Sequence, residues 1–298
     1  MATAANAWAD TSVLRIGYQK YGPLTVLKGS GALEKRLAAN GVEVKWTEFT
    51  AGPQLLEGLN VGSIDFGTTG EAPPIFAQAA GAALVYVGNE PPAPAGEAIV
   101  VPKSSKLTSV KDLKGKKIVL NKGSNVHYLL VRLLEKAGIA YHDVELVFLP
   151  PADARAAFER GCVDAGVIWD PFLAAAEKQL GARVLADGKG LVSNHQFYLA
   201  SAPYAKKHGD VLRIVLDELA KADAWSVSHQ KETAAILAAQ TGLDTATVEL
   251  ATSRFSFGVV PLSETVVREQ QSIADTFADL KLIPKRIIVR DAVQVLPR

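Results

Sequence analysis

The stretch Ile64-Asp65-Phe66-Gly67-Thr68-Thr69-Gly70-Glu71, followed by the amphipathic run 72–80, decides how the chain folds. A short apolar run predicts a strand, small hydrogen-bonding residues predict its end, and apolar residues at helical spacing predict the helix that follows. The design recurs twice: 117–120 leads through Asn121-Lys122-Gly123-Ser124-Asn125 into a helical run at 126–136, and 165–168 leads through Trp169-Asp170-Pro171 into one at 172–179. A strand that stops at such residues leaves backbone N–H groups free at the positive end of the next helix, which binds an anion without a fixed charge. If the three junctions converge, the chain holds an acidic small molecule.

Around these junctions, β-rich runs at 13–17, 42–48, 64–67, 83–88, 97–101, 117–120, 144–149, 163–168 and 183–185 alternate with helical runs such as 24–39 and 152–160. The alternation predicts an α/β architecture of mainly parallel sheets with helices on both faces. After 192 comes one more β-rich run, 195–201, then nearly continuous helix from 203 to 279, a tail with little chemistry on its face. The 298 residues exceed what one core usually supports, so two lobes are expected. Crossings near 90–102 and 193–201 predict one lobe from 11–97 plus 200–298, carrying the helical tail, and another from 98–199. A cleft between such lobes, with strand ends and helix starts facing inward, is where a ligand belongs.

Hydrophobic residues make up 48% of the chain and charged residues 21%, the composition of a globular protein. A net charge of +1 provides no basic field for nucleic acid or an anionic membrane, so any anion must be recognised locally. Cys162 is the single cysteine, which excludes internal disulfides and paired-cysteine redox or zinc chemistry. It follows a helical run and precedes an apolar strand, which predicts a buried, inert thiol. No apolar run approaches the roughly 18 residues of a membrane span. The alanine-rich start, 1–10, reads as a secreted chain whose signal was removed, with Met1 added for expression.

Thr68, Thr69, Gly70 and Glu71 are candidate ligand donors, yet a plain helix cap uses the same atoms. Gly123, Ser124 and Asn125 offer backbone donors, a hydroxyl and an amide without the glycine spacing of a phosphate loop. His127, just inside that helix, reads as structural. Trp169 either covers a ligand tail or closes the core, and Asp170 reads as a helix cap. His195 and Gln196 in the second crossing, with Gln19 and Lys20 after the first strand, complete the set of polar candidates. The histidines show no metal-ligand spacing and no serine elbow occurs, so neither catalysis nor a cofactor is expected.

Four motifs, Thr69-Gly70-Glu71-Ala72-Pro73-Pro74-Ile75-Phe76, Leu120-Asn121-Lys122-Gly123-Ser124-Asn125-Val126-His127-Tyr128, Ile168-Trp169-Asp170-Pro171-Phe172 and Gln196-Phe197-Tyr198-Leu199-Ala200, resemble the aliphatic sulfonate-binding proteins of bacterial ABC importers, of the nitrate, sulfonate and taurine type. The resemblance spans about 13–293. It implies a two-lobed periplasmic-binding-protein fold, type II-like, with two mixed, mainly parallel sheets. It also implies a periplasmic monomer that takes a small organic sulfonate to a membrane permease and its ATPase. By position, Thr69, Gly70 and Glu71 would line one wall of the cleft, Gly123, Ser124 and Asn125 the other, and Trp169 would shield the ligand. A carboxylate beside a sulfonate should repel it, so Glu71 either turns its carboxylate away or meets a substituted tail. Taurine or nitrate-type carriers are the alternatives within the binding class. A desulfinase or pyrimidine-precursor synthase is the alternative among enzymes, and it would need cysteine in the cleft.

Overall fold

The computed structural model describes residues 12–296, so the alanine-rich start lies outside the described residues. One sheet holds β1 (Ser12–Tyr18), β2 (Val42–Glu48), β3 (Phe66–Gly70), β4 (Leu84–Asn89) and β10 (Gln196–Ser201), in the order β2-β1-β3-β10-β4. The other holds β5 (Glu97–Val101), β6 (Lys117–Leu120), β7 (Glu145–Phe148), β8 (Ala165–Trp169) and β9 (Arg183–Asp187), in the order β7-β6-β8-β5-β9. The sheets are mixed because of β10 and β5: each is the first strand after a crossing, and each enters its sheet antiparallel to both neighbours. Sheet membership shifts the expected lobe edges by a few residues. Glu97 already pairs with Trp169 in the second sheet, and 196–200 pairs with β3 in the first, because an extended segment entering a sheet is held by its ladder.

The helices are α1 (Gly22–Ser30), α2 (Ala32–Ala38), α3 (Gly52–Asn60), α4 (Ala72–Ala79), α5 (Asn125–Ala137), α6 (Pro151–Glu159) and α7 (Phe172–Leu180), then α8 (Ala202–Lys207), α9 (Gly209–Ser228), α10 (Gln230–Thr241), α11 (Thr245–Thr252) and α12 (Glu264–Asp279). The single helix expected over 24–39 is two, because Gly31 adopts a φ of 66° and ends α1 by donating its N–H to the Lys28 carbonyl. The tail is likewise divided, with 253–263 outside helix.

Strand alternation distributes the cores. Leu14 and Ile16 of β1 pack with Leu24, Leu27 and Leu212, filling the face of the first sheet under α1, α2 and α9. In the second sheet Ala98, Val100 and Val119 face Phe158 of α6 and Leu173 of α7, whereas Ile99, Ile118 and Leu120 face Leu129 and Leu130 of α5. The core on that second side continues into the first lobe through Leu55, Ile75 and Phe277. Phe277 of α12 is fully buried, with its ring 4.9 Å from that of Phe76 on α4 and 5.9 Å from that of Tyr128 on α5. The tail is therefore wedged against both lobes.

Candidate ligand cleft

Parallel strands in both sheets end toward one another. Gln19, Lys20 and Tyr21 after β1, and Phe49 and Thr50 after β2, line a cavity of about 160 Å³ whose other wall is Pro150, Pro151, Trp169 and Phe172 from the ends of β7 and β8. Tyr21 and Trp169 also border a smaller cavity with Glu90, Asn125, Asn194 and Gln196. The cleft thus lies outside the carboxyl ends of the strands, where open α/β sheets place ligands.

The three helix starts that looked alike in sequence differ in what they offer. At α4, Pro73 and Pro74 remove two of the first-turn donors. At α7, the Asp170 carboxylate accepts the Ala174 N–H at 2.9 Å and so caps its own helix. At α5, the Ser124 hydroxyl donates back to the Asn121 carbonyl at 2.7 Å and caps nothing, so the Asn125 and Val126 amides have no helical carbonyl behind them. This start is held open by His127, whose Nδ1 accepts the Gly123 N–H at 3.3 Å while Nε2 meets the Tyr141 hydroxyl at 2.6 Å. Burial holds its pKa down at about 4, which keeps the ring neutral and Nδ1 able to accept. The Asn125 side chain is not a donor to a ligand, because Nδ2 is occupied by Glu97 Oε2 at 2.5 Å and Asn194 Oδ1 at 3.0 Å.

Thr68, Thr69 and Gly70 are strand residues, not a loop: the ladder pairs them with Tyr198, Phe197 and Gln196. The antiparallel partner extends β3 past the expected end at Gly67. Both threonine hydroxyls are engaged, Thr68 to the Phe197 carbonyl at 3.1 Å and Thr69 to the Gly70 carbonyl at 3.0 Å. Gln19 is buried and donates to the Thr68 carbonyl at 3.2 Å, and Gln196 accepts from the Tyr21 hydroxyl at 2.5 Å. The His195 ring is turned toward α12, between the Glu90 carbonyl at 2.8 Å and the Glu269 carboxylate at 3.2 Å.

Glu71 is fully buried and turns its carboxylate toward the second crossing, where Oε2 accepts the His195 N–H at 3.2 Å. Its carbonyl accepts from Gln270 of α12 at 2.6 Å. Burial raises its pKa to about 8, so the group is mostly uncharged near neutrality and does not oppose an anion. Among the described residues no group of three or more His, Cys, Asp or Glu is placed to hold a metal. Cys162 is exposed rather than buried, because it sits in the turn after α6, at the opposite end of the second sheet from the cleft. Tyr21, Asn194 and the tail residues Gln270, Glu269 and Arg254 were not marked by any local motif. Only Tyr21, next to Gln19-Lys20 and before Gly22-Pro23, carried a hint in its position.

The family model described as NMT1/THI5 like matches residues 37–233. The chain is 46% identical, over 97% of its length and 91% of the relative's, to a protein of Escherichia coli strain K12 named for aliphatic sulfonates binding. Among solved structures it is similar to the alkanesulfonate-binding protein SsuA from Xanthomonas axonopodis pv. citri bound to MOPS, with a TM-score of 0.91, 45% identity and coverage of 95% of this chain and 98% of that one. The periplasmic aliphatic sulphonate binding protein SsuA from Escherichia coli gives a TM-score of 0.87 at 44% identity, over 96% of this chain and 93% of that one. The fold is that of these binding proteins, and the chain belongs to the NMT1/THI5-like family, among its aliphatic sulfonate-binding members.

Proposed function

We propose that this chain is the periplasmic binding component of an ABC importer, a monomer that closes two lobes on an organic sulfonate and delivers it to a permease and its ATPase. The observation that carries the reading is a cavity walled by Trp169, Phe172 and Phe49 at the ends of both sets of strands, beside a smaller one that Tyr21 and Trp169 share with Asn125 at the start of α5. The Asn125 and Val126 amides supply donors for sulfonate oxygens, and the aromatic wall takes the tail. Gly70 and Glu71 form the opposite wall through backbone, with Thr69 and Gln19 fixing its shape. Gly123 and Ser124 hold the α5 start in place. A planar anion such as nitrate has no tail to fill the aromatic side.

Names of the relatives support a periplasmic sulfonate binder, and no helix among the described residues is long and apolar enough to cross a membrane. No cysteine lines the cleft cavities, which opposes the desulfinase alternative. The test is calorimetry and thermal shift with methane-, butane- and octanesulfonate beside nitrate. Binding raises the melting temperature by mass action, the head group is read tightly and the tail loosely. An affinity that changes by many orders along the sulfonate series, or a preference for nitrate, overturns the reading.

A further inference from the structure

Two acidic side chains, one from each sheet's lobe, are buried near one another without a cation. Glu71 precedes α4 and Glu97 opens β5, with exposures of 1% and 0%. No lysine or arginine contributes to the field at either carboxyl; Glu71 raises the cost of charge on Glu97, and Glu269 raises it on Glu71. Hydrogen bonding fixes which oxygens remain. Asn194 Nδ2 donates to the Ala93 carbonyl at 2.9 Å, so its Oδ1 must accept, and Asn125 must present its NH₂ to Asn194 and to Glu97 Oε2. Glu97 Oε2 and, by the His195 N–H, Glu71 Oε2 are therefore acceptors. The Oε1 atoms of both residues are buried and have no partner among the described residues. Two ionised carboxylates left in this way are costly, and a proton is the smallest group that relieves them.

We propose that Glu71 and Glu97 form a proton-binding site between the lobes, which holds a proton on their Oε1 oxygens when the lobes are together and releases it when they part. The surrounding groups favour the proton. Glu269 of α12 adds negative charge, and the His195 ring is already committed to Glu269 and the Glu90 carbonyl. Tyr128 on α5 is a protonated hydroxyl, pushed up to about 12 by burial, and Arg132 beyond it pairs with Glu135. Gln270 is neutral, and Asp170, next to the Glu97 partner Trp169, is tied to Arg254. Burial, helped by the Glu269 charge at Glu71 and the Glu71 charge at Glu97, lifts Glu71 to about 8 and Glu97 well above the carboxylate range. Lobe separation undoes this, because Gly70 rests against Asn125 and drawing them apart admits water to both Oε1 atoms.

The site itself is independent of the sulfonate reading, and only its coupling to ligand rests on it. Carboxyl-¹³C glutamate spectra, assigned with Glu71→Gln and Glu97→Gln, are recorded from pH 5 to 9 with and without propanesulfonate. A shared titration centred above pH 7 in either state supports the site, and two carboxylates at pH 6 in both states overturn it. Calorimetry in phosphate, Tris and imidazole, chosen because sulfonate buffers compete, reads the coupling. Uptake of up to one proton per ligand is expected, with affinity falling up to about tenfold per pH unit between the midpoints of the parted and the closed forms and a weaker dependence in Glu97→Gln. No proton uptake between pH 6 and 9 overturns the coupling. Absence of any propanesulfonate binding refutes the sulfonate reading instead, and the ligand-free spectra then decide the proton site. If Glu97→Gln does not fold, Glu71→Gln and the wild-type titration serve the same comparison.

Discussion

Gly70 of the first lobe and Asn125 of the second meet tip to tip: a Cβ at position 70 would lie 3.0 Å from both Cβ and Cγ of Asn125. Gly70 is a strand residue whose partner is Gln196, and Asn125 is the first residue of α5, pinned by Glu97 and Asn194. Neither side has room to yield. The contact joins the end of β3 to the start of α5, the two walls of the proposed cleft.

Gly70→Ala should therefore oppose closure more than folding. Overpacking at such a contact costs about 1–3 kcal/mol, which lowers sulfonate affinity by about fivefold to 150-fold. Calorimetry with butanesulfonate measures it, and unchanged affinity would show that the lobes do not meet here in the bound form.

Trp169 is buried, stands edge-on to Phe172 with ring centroids 5.9 Å apart and borders both cleft cavities. If it covers the tail, Trp169→Ala should weaken octanesulfonate by about tenfold and methanesulfonate by less than about threefold, since each buried methylene is worth about 0.8 kcal/mol. Equal losses for the two ligands assign Trp169 to the head group or to folding.

Stability should fall as pH rises from about 5 to 9. Burial raises Glu71 and Glu90 to about 8, Asp170 to about 7 and Asp223 to about 6, so the folded chain binds more protons than the unfolded one across this range. The stability these groups provide is complete below the ordinary carboxylate range and is lost as pH passes their folded values. Differential scanning calorimetry should place the highest melting temperature near pH 5, with a shallower decline in Glu71→Gln. A melting temperature that climbs from pH 5 to 8 contradicts this assignment.

Phe277 joins α12 to α4 and α5 within one buried cluster. Phe277→Ala should cost about 3–5 kcal/mol in urea unfolding, the usual loss for a buried aromatic ring. It should also weaken ligand binding, because the wedge touches both walls of the cleft. A loss below about 1 kcal/mol would mean that the cluster collapses around the gap or that the tail is not anchored there.

Much of the strand placement along the chain was legible because alternation and turn residues are local. The runs 42–48, 97–101 and 117–120 coincide with β2, β5 and β6, since apolar β-branched residues bounded by polar or glycine-rich segments have few other uses. Gly31 was harder to read. Whether a glycine ends a helix depends on its taking a positive φ, and both halves of 24–39 carry helical spacing. Thr68, Thr69 and Gly70 look like a loop until β10, more than a hundred residues later, pairs with them. The tail looked free of chemistry because Gln270, Glu269 and Arg254 act on Glu71, His195 and Asp170, partners that no local window contains.

By itself, the sequence determined two α/β lobes, the strand-to-helix junctions, and a near-neutral chain that must recognise an anion locally. Periodicity and turn chemistry act over a few residues, so they survive without any knowledge of packing. Tertiary structure alone decided how three similar helix starts differ: prolines remove two donors at α4, Asp170 takes a first-turn amide at α7, and no side chain caps the start of α5. It also brought Glu71 and Glu97 together without a counter-charge, because burial and long-range proximity arise only when both lobes are assembled.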